Sequence, residues 1–188
     1  MAGVDLAPLA IQYCRQRGFE RSLAASVMEL PFPDNHFDVV SSIDVLPVLP
    51  EGGDEKALRE FHRVLKPGGW LVLRVAAFRA LRSRHSQYVA ERRRYRAGEM
   101  LRLLAAANFR VLRWTYANSL LSPVALAKFR VWEPLRREPP HSGVATIPPP
   151  WLNRLLTSAL LAEAWMIRRG LCFAFGQSWM AVARKDSG

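Results

Sequence analysis

The spacing of apolar residues predicts short strands that alternate with helices through the first half of the chain. Apolar runs bounded by turn-forming residues predict strands at residues 2–6, 23–25, 38–43 and 70–75. Helical periodicity predicts helices at residues 9–17 and 55–65. The second helix ends at Lys66-Pro67-Gly68-Gly69, a sequence that stops helices well. This alternation is typical of βαβ units, and it predicts an α/β fold with a mostly parallel, Rossmann-like sheet and helices on both faces.

The second half of the chain has a different pattern. It predicts a helix at 98–107, a strand at 109–116, an irregular proline-rich connection at 123–150, an amphipathic helix at 151–169 and a last strand at 179–183. We therefore expect one domain in three parts: a core at 1–122, a helical insertion or lid at 123–177, and the last strand with a tail at 178–188. Ligands of such sheets bind at the carboxyl ends of the strands.

Composition agrees with one globular domain and adds a marked charge. The chain has 188 residues, of which 50% are hydrophobic, enough for one sizeable core. Its 27 Lys and Arg against 16 Asp and Glu give a net charge of +11. This charge favours anionic partners, although an arginine-rich soluble protein explains it equally well. Nucleic acid is the less favoured partner, because no nucleic-acid-binding motif accompanies the charge.

Targeting and metal signals are weak. Cys14 and Cys172 form no metal-binding pattern, so we predict no metal and expect two buried free thiols. The first residues lack the features of a signal peptide, and we find no run of about 18 apolar residues that would span a membrane. These features predict a cytoplasmic protein without a transmembrane segment.

Three stretches in order carry a family resemblance. They are Gly3-Val4-Asp5-Leu6 before a helix, the stretch from Glu29-Leu30-Pro31 to Asp38-Val39-Val40, and the stretch from Phe61-His62-Arg63 to Gly68-Gly69. Together they resemble the class I S-adenosylmethionine-dependent methyltransferases of the small-molecule type, similar to methyltransferase type 11. Each stretch alone is weak, whereas the three at these separations are a strong signal.

The resemblance implies that S-adenosylmethionine is the cofactor. Asp5, with Leu6 beside it, falls where the family's acidic residue accepts hydrogen bonds from the ribose hydroxyls. The alternative is that Asp5 only caps the helix that follows. Ser26 falls where the family has an aspartate for the adenine amino group, with Val27 and Met28 flanking the ring. Packing in the core is the alternative for Val27 and Met28.

The resemblance also implies a crevice after the strand at 38–43. Ser42 and Ile43 would border the cofactor, and Asp44 and Val45 would border the acceptor. Many relatives have a histidine about four residues beyond Asp44, where this chain has Pro47 and Val48. No catalytic residue is therefore predicted, and methyl transfer can proceed largely through proximity and in-line approach.

The family's first strand and glycine-rich turn have no counterpart in these residues. In relatives that strand lies between the strands that end here at Asp5 and Ile43. The resemblance therefore predicts that the chain is an N-terminally truncated form of an active enzyme. If the sequence is complete, those two strands are expected to pair directly and cofactor binding to be weak or absent.

Residues 79–96 follow a predicted strand and contain seven arginines and one acid, Glu91. His85, Tyr88 and Tyr95 are interleaved with the arginines, so the segment either binds an anionic acceptor or forms a solvated, mobile loop. Asn118, after the next strand, is a further candidate for acceptor binding. The helix at 151–169 has three alternatives: a lid, a peripheral membrane contact, or a helix packed on the sheet.

The resemblance implies an enzyme that transfers a methyl group from S-adenosylmethionine to an O, N or C atom. The acceptor would be a small or lipid-linked molecule, anionic if the arginines bind it. A non-catalytic module with a methyltransferase-like fold is the alternative.

Overall fold

A computed structural model describes residues 1–132, 135 and 148–186. The strands are β1 (Gly3–Asp5), β2 (Ser22–Ala24), β3 (Phe37–Ile43), β4 (Leu65–Ala76), β5 (Phe109–Ala117) and β6 (Ser178–Lys185). The α-helices are α1 (Pro8–Gln16), α2 (Gly53–Val64), α3 (Arg84–Tyr88), α4 (Ala97–Ala106), α5 (Ser122–Ala127) and α6 (Pro150–Arg168). Short 3-10 turns occupy Leu46–Val48 and Arg79–Leu81, and a π-helical turn occupies Lys128–Trp132. Every helix and strand predicted above is present.

Two segments differ from the sequence prediction. Residues 84–88 form α3 within the arginine-rich segment, where Ser83 accepts a hydrogen bond from the Ser86 amide and so caps the helix. Residues 122–132 are helical, although their prolines predicted an irregular connection; Pro123 lies in the first turn, where its missing N–H costs nothing. Most of the remainder of that predicted connection, residues 133–134 and 136–147, lies outside the described residues.

The strands form two sheets. β1 and β2 make a parallel pair, and a four-stranded sheet has the order β3-β4-β6-β5. β3 and β4 are parallel, whereas β6 runs antiparallel to both β4 and β5. The α/β class is thus confirmed, and the sheet is mixed.

The Lys66-Pro67-Gly68-Gly69 stretch forms an irregularity inside β4. Phe37 pairs with Leu65 and Val39 pairs with Trp70, so four residues bulge out of the ladder. A Cβ on Gly69 would lie 2.8 Å from the Lys66 carbonyl oxygen, which explains why glycine is required there. The chain consequently passes from α2 into β4 without a separate loop.

The core lies on one face of the four-stranded sheet, under α2 and α4. Leu71, Leu73 and Val75 of β4 alternate towards this face, and Ala181 and Ala183 of β6 join them. On the opposite face α6 lies over β5 and β6. Part of that face is bare, because Val39, Ile43 and Trp70 are 55%, 49% and 40% exposed.

The two sheets are not joined by strand pairing among the described residues. β1 pairs with β2 and β3 pairs with β4, so the direct pairing of β1 with β3, expected for a complete chain, is not formed. A cavity of about 480 Å³ lies between them, with Ala2 and Leu23 on one side and Phe32 and Phe37 on the other.

The structure also bears on two further predictions: the burial of the two cysteine thiols and the absence of a transmembrane helix. Cys14 is half-buried and Cys172 is exposed, so the expectation of two buried thiols is wrong. Cys172 lies beyond Arg168, where α6 ends. Within the described ranges, no helix combines the length and the apolar character that crossing a bilayer requires.

Candidate active site

A cavity of about 490 Å³ lies at the carboxyl ends of β3, β4 and β5, where β6 begins. Polar and charged side chains dominate its lining, which also includes residues from the arginine-rich segment and the π-helical turn. These residues are Asp44, Arg74, Ser83, His85, Ser86, Glu91, Arg94, Asn118, Lys128, Gln177 and Ser178, with Pro47, Val48, Ala76, Val89 and Phe129 as the apolar part.

Three residues at the strand ends around this cavity have positive φ angles. Asp44 after β3, Phe78 after β4 and Asn118 after β5 have φ values of 57°, 50° and 58°. Such values are uncommon for residues other than glycine, above all for an aromatic residue. Strain of this kind clusters at functional sites, where the surrounding structure maintains it. It marks this edge of the sheet as the candidate active site.

Asp44 and Arg74 form the charged pair at the centre of the edge. Arg74 Nε lies 3.5 Å from Asp44 Oδ2 and donates a hydrogen bond of 3.2 Å to the Ser178 hydroxyl. Burial raises the pKa of Asp44, and the nearby Glu91 carboxylate adds to the rise. Arg74 and Arg94 oppose it. The Asp44 carboxylate is therefore more easily protonated than an exposed aspartate.

Glu91 and Arg94 form a second pair, which is buried. The Arg94 Nε to Glu91 Oε1 distance is 2.6 Å, and both side chains are at least nine-tenths buried. Arg94 also donates to the Ala77 carbonyl and the Ser86 hydroxyl, each at 3.0 Å. These bonds hold residues 91–94 against the end of β4, whereas residues 87–90 are exposed.

Pro47, one of the two residues where the resemblance implies a histidine, has a structural role. Its carbonyl oxygen accepts hydrogen bonds from the amides of Arg92 and Arg93, at 2.9 and 3.2 Å. Arg93 then pairs with the buried Asp54 at 2.7 Å, and the Tyr95 hydroxyl donates to the same carboxylate at 3.2 Å. Burial raises the pKa of Tyr95, so its hydroxyl stays a donor. These contacts lock the arginine-rich segment onto α2.

Lys128 adds a positive charge to the lining of the cavity. Its side chain lines the cavity, and it forms no ion pair with any residue that the structure describes. Asp44 and Glu91 each have their own arginine, so these five charged residues sum to one net positive charge. The cavity therefore favours an anionic group.

The structure brings together three of the six predicted acceptor-binding residues: Asp44, His85 and Asn118 line the cavity. The other three do not line it. Val45 packs against the core, Tyr88 is 59% exposed, and Tyr95 is fully buried. Tyr95 is interleaved with arginines in sequence, but the bridge between Tyr95 and Ala77 turns it into the core.

None of the predicted cofactor residues lines this cavity. Asp5 ends β1, and its Oδ1 accepts a hydrogen bond of 2.8 Å from the Ala7 amide. Ala7 is itself the N-cap of α1, which has no side-chain cap, so the capping alternative is wrong. The next residue, Leu6, is 65% exposed. The Ser26 hydroxyl accepts a hydrogen bond from the Met28 amide at 3.1 Å.

The remaining predicted cofactor residues are apolar or buried. Val27 and Met28 pack against the core, in agreement with the packing alternative. Ile43 is half exposed. The buried Ser42 hydroxyl has no hydrogen-bond partner among the described residues.

Sequence reasoning missed several residues of the site. Arg74 is the only charged residue in an otherwise apolar run, Trp70-Leu71-Val72-Leu73-Arg74-Val75, and this exception was the available signal. Glu91 was noted only as the single acid in the arginine-rich segment, not as a cavity residue. No local signal identifies Lys128 or Gln177, because only the fold brings them to the strand ends.

Comparison with known proteins identifies the family. Residues 1–73 match a family model described as a methyltransferase domain. Over 141 residues the chain is 33% identical to the fatty-acid O-methyltransferase of Mycolicibacterium smegmatis, covering 69% of this chain and 48% of that protein. Over 78 residues it is 41% identical to the demethylmenaquinone methyltransferase of Thermus thermophilus, covering 39% of this chain and 34% of that protein.

Solved structures share the fold. The cyclase SpnF has a TM-score of 0.56 and 24% sequence identity, and the match covers all of this chain and 66% of that one. At this level of identity the similarity establishes the fold alone, and the name of SpnF shows why a fold does not assign an activity.

The resemblance found in the sequence is confirmed. Residues 1–73 are similar in sequence to a methyltransferase domain, and the described residues share their fold with the solved structures. Its matches cover between 19% and 48% of the length of the first curated relatives.

Proposed function

We propose that this chain takes part in the transfer of a methyl group from S-adenosylmethionine to a small anionic acceptor bound at the carboxyl ends of β3, β4 and β5. The observation that carries the proposal is the strained, charged cavity around Asp44 and Arg74 in a chain of this family. The family match supports the reaction, and the net positive cavity supports the charge of the acceptor.

The described residues fit the nucleoside half of the cofactor. Asp5 ends β1 with its carboxylate exposed, and Oδ2 has no hydrogen bond among the described residues, so it is available to a ribose hydroxyl. Ser26 remains a candidate for the adenine edge, since its hydroxyl accepts only the Met28 amide among the described residues. When bound, S-adenosylmethionine supplies an electrophilic methyl group on a sulfonium sulfur.

A carboxylate is the acceptor group that best suits the cavity. A carboxylate oxygen of the acceptor attacks the methyl carbon, the new O–C bond forms as the C–S bond breaks, and the electron pair stays on sulfur. No proton has to be removed, because a carboxylate is already ionised at neutral pH. This explains why Pro47 can replace the histidine of relatives. The similarity to a fatty-acid O-methyltransferase supports the same acceptor group.

The protein's own contribution is then positioning. Lys128 and Arg74 would hold the carboxylate, and Asp44 and Asn118 would shape the cavity around it. Orienting two reactants in this way accounts for a large part of the rate in such transfers.

Calorimetry with S-adenosylhomocysteine tests the cofactor half of the proposal. We expect the chain to bind it and Asp5→Asn to bind it about 10- to 100-fold more weakly, since charge-assisted hydrogen bonds to the ribose are lost. Glu20→Gln, which removes an exposed carboxylate elsewhere in the β1–β2 unit, should leave the affinity unchanged. Absence of binding by the chain, or equal affinities for all three proteins, would overturn the proposal.

A further inference from the structure

A second cavity lies between α6 and the sheet, and its lining is mainly apolar. Its volume is about 420 Å³. Val72, Met180 and Val182 line it from the sheet, and Leu160, Ala164 and Ile167 line it from α6. We call it the α6 groove.

Polar contacts tie α6 to β5 and to the residues after it at two points, one helical turn apart. The Leu120 amide donates to Glu163 Oε2 at 2.9 Å, and the Arg113 guanidinium donates to the Ile167 carbonyl. Between these points the helix does not sink into the sheet: Glu163 is the only residue of α6 that is fully buried. An amphipathic helix on a sheet normally buries its apolar stripe, so the space left beneath this one is unusual.

The α6 groove adjoins the charged cavity. Asn118 lines both cavities. Arg74 of the charged cavity pairs across the strands with Met180 of the groove, and Ser178 of the charged cavity pairs with Ala117 of the groove. From Asn118 to Arg113 the groove follows β5 for about 16 Å, taking roughly 3.3 Å per residue.

We propose that the α6 groove binds the alkyl chain of an acceptor whose anionic head lies in the charged cavity beside Lys128. The ligand class is a single-chain amphiphile with a carboxylate head. An apolar groove that opens at one end into a positively charged cavity matches such a molecule along its length. The role of this ligand as methyl acceptor rests on the proposed function; its binding does not.

Calorimetry with octanoate, decanoate and dodecanoate below their micelle concentrations, without cofactor, tests the groove. We expect the affinity to rise about fourfold for each added methylene. Dodecyltrimethylammonium, with the same chain and a cationic head, should bind at least tenfold more weakly than dodecanoate. An affinity that does not depend on chain length would overturn the proposal.

Matched variants locate the ligand. Ala164→Trp fills the groove and should weaken dodecanoate at least tenfold, whereas Ala162→Trp, on another side of the same helix, should not. Lys128→Gln should weaken all three acids by a similar factor, whereas Arg130→Gln, outside the cavity, should leave them unchanged. If both variants of a pair lost the same amount of affinity for dodecanoate, the assignment of the ligand to the α6 groove and the charged cavity would be wrong. Thermal melts establish that each variant is folded.

The same samples separate this inference from the proposed function. If S-adenosylhomocysteine binds and no acid does, the α6 groove proposal is wrong and the cofactor proposal stands. If the acids bind with the expected dependence on chain length and S-adenosylhomocysteine does not, the groove proposal stands and the transferase proposal is wrong.

Discussion

The guanidinium of Arg63 lies 2.8 Å from the carboxylate of Asp34, 29 residues earlier in the chain. Arg63 also donates to the carbonyl oxygens of Leu30 and Phe32, at 2.9 and 2.8 Å. Glu60, one turn earlier on α2, orients the guanidinium and accepts the Leu30 amide at 2.7 Å. Arg63, from the stretch Phe61–Gly69, therefore holds the backbone of the stretch Glu29–Val40. This gives a physical reason why the two stretches occur together in the chain.

Replacing Arg63 by methionine should destabilise the protein by about 1–3 kcal/mol, because two carbonyls and two carboxylates lose their donor. Urea unfolding measures the change. Arg59→Met is the control, since Arg59 lies one turn away and makes only an exposed pair with Glu55 at 3.8 Å; we expect a change below about 0.5 kcal/mol. Similar losses in both variants would contradict this account of the motifs.

The sequence predicts those features of the fold and site that depend on neighbouring residues, and it fails for those that depend on contacts between distant segments. The strand at 38–43 and the helix at 55–65 follow from apolar periodicity, and Asp44 follows from its place just after a strand. Tyr95 and Lys128 show the limit. Tyr95 stands among arginines yet is buried by a bridge to Ala77, and Lys128 reaches the cavity only because residues 122–132 are helical. Both outcomes depend on contacts between distant segments.

Neutralising Asp44 should stabilise the protein. Burial raises its pKa above the ordinary 3.8, so the wild-type protein loses stability as pH rises from 3.8 through the raised value. Asp44→Asn removes this loss, and asparagine tolerates the positive φ. We expect a small gain in the free energy of unfolding at pH 7 that disappears below pH 3.8, measured by urea unfolding across that range.

Asp38→Asn is the control of opposite sign. Lys66 lowers the pKa of Asp38, so its contribution is present above pH 3.8 and is lost as pH falls through the lowered value. This variant should be less stable than wild type at pH 7. A gain in both variants would show that general charge reduction, rather than the burial of Asp44, is responsible.

Ser42→Ala should leave the free protein as stable as wild type or stabilise it by up to about 1 kcal/mol, because the buried hydroxyl has no partner among the described residues. Ser86→Ala is the contrast: this buried hydroxyl accepts from Arg94 at 3.0 Å, and its loss should be destabilising. Thermal melts of both variants check the difference. Destabilisation of the Ser42 variant by more than that of the Ser86 variant would contradict the assignment.

The central claim is methyl transfer to a carboxylate in the charged cavity. S-adenosylmethionine with a deuterated methyl group, supplied together with dodecanoate, dodecylamine and dodecanol, tests it directly by mass spectrometry of the products. We predict labelled methyl dodecanoate, in smaller amount from Lys128→Gln and unchanged from Arg130→Gln. Label on the amine or the alcohol instead, or no labelled product from any of the three, would contradict the account.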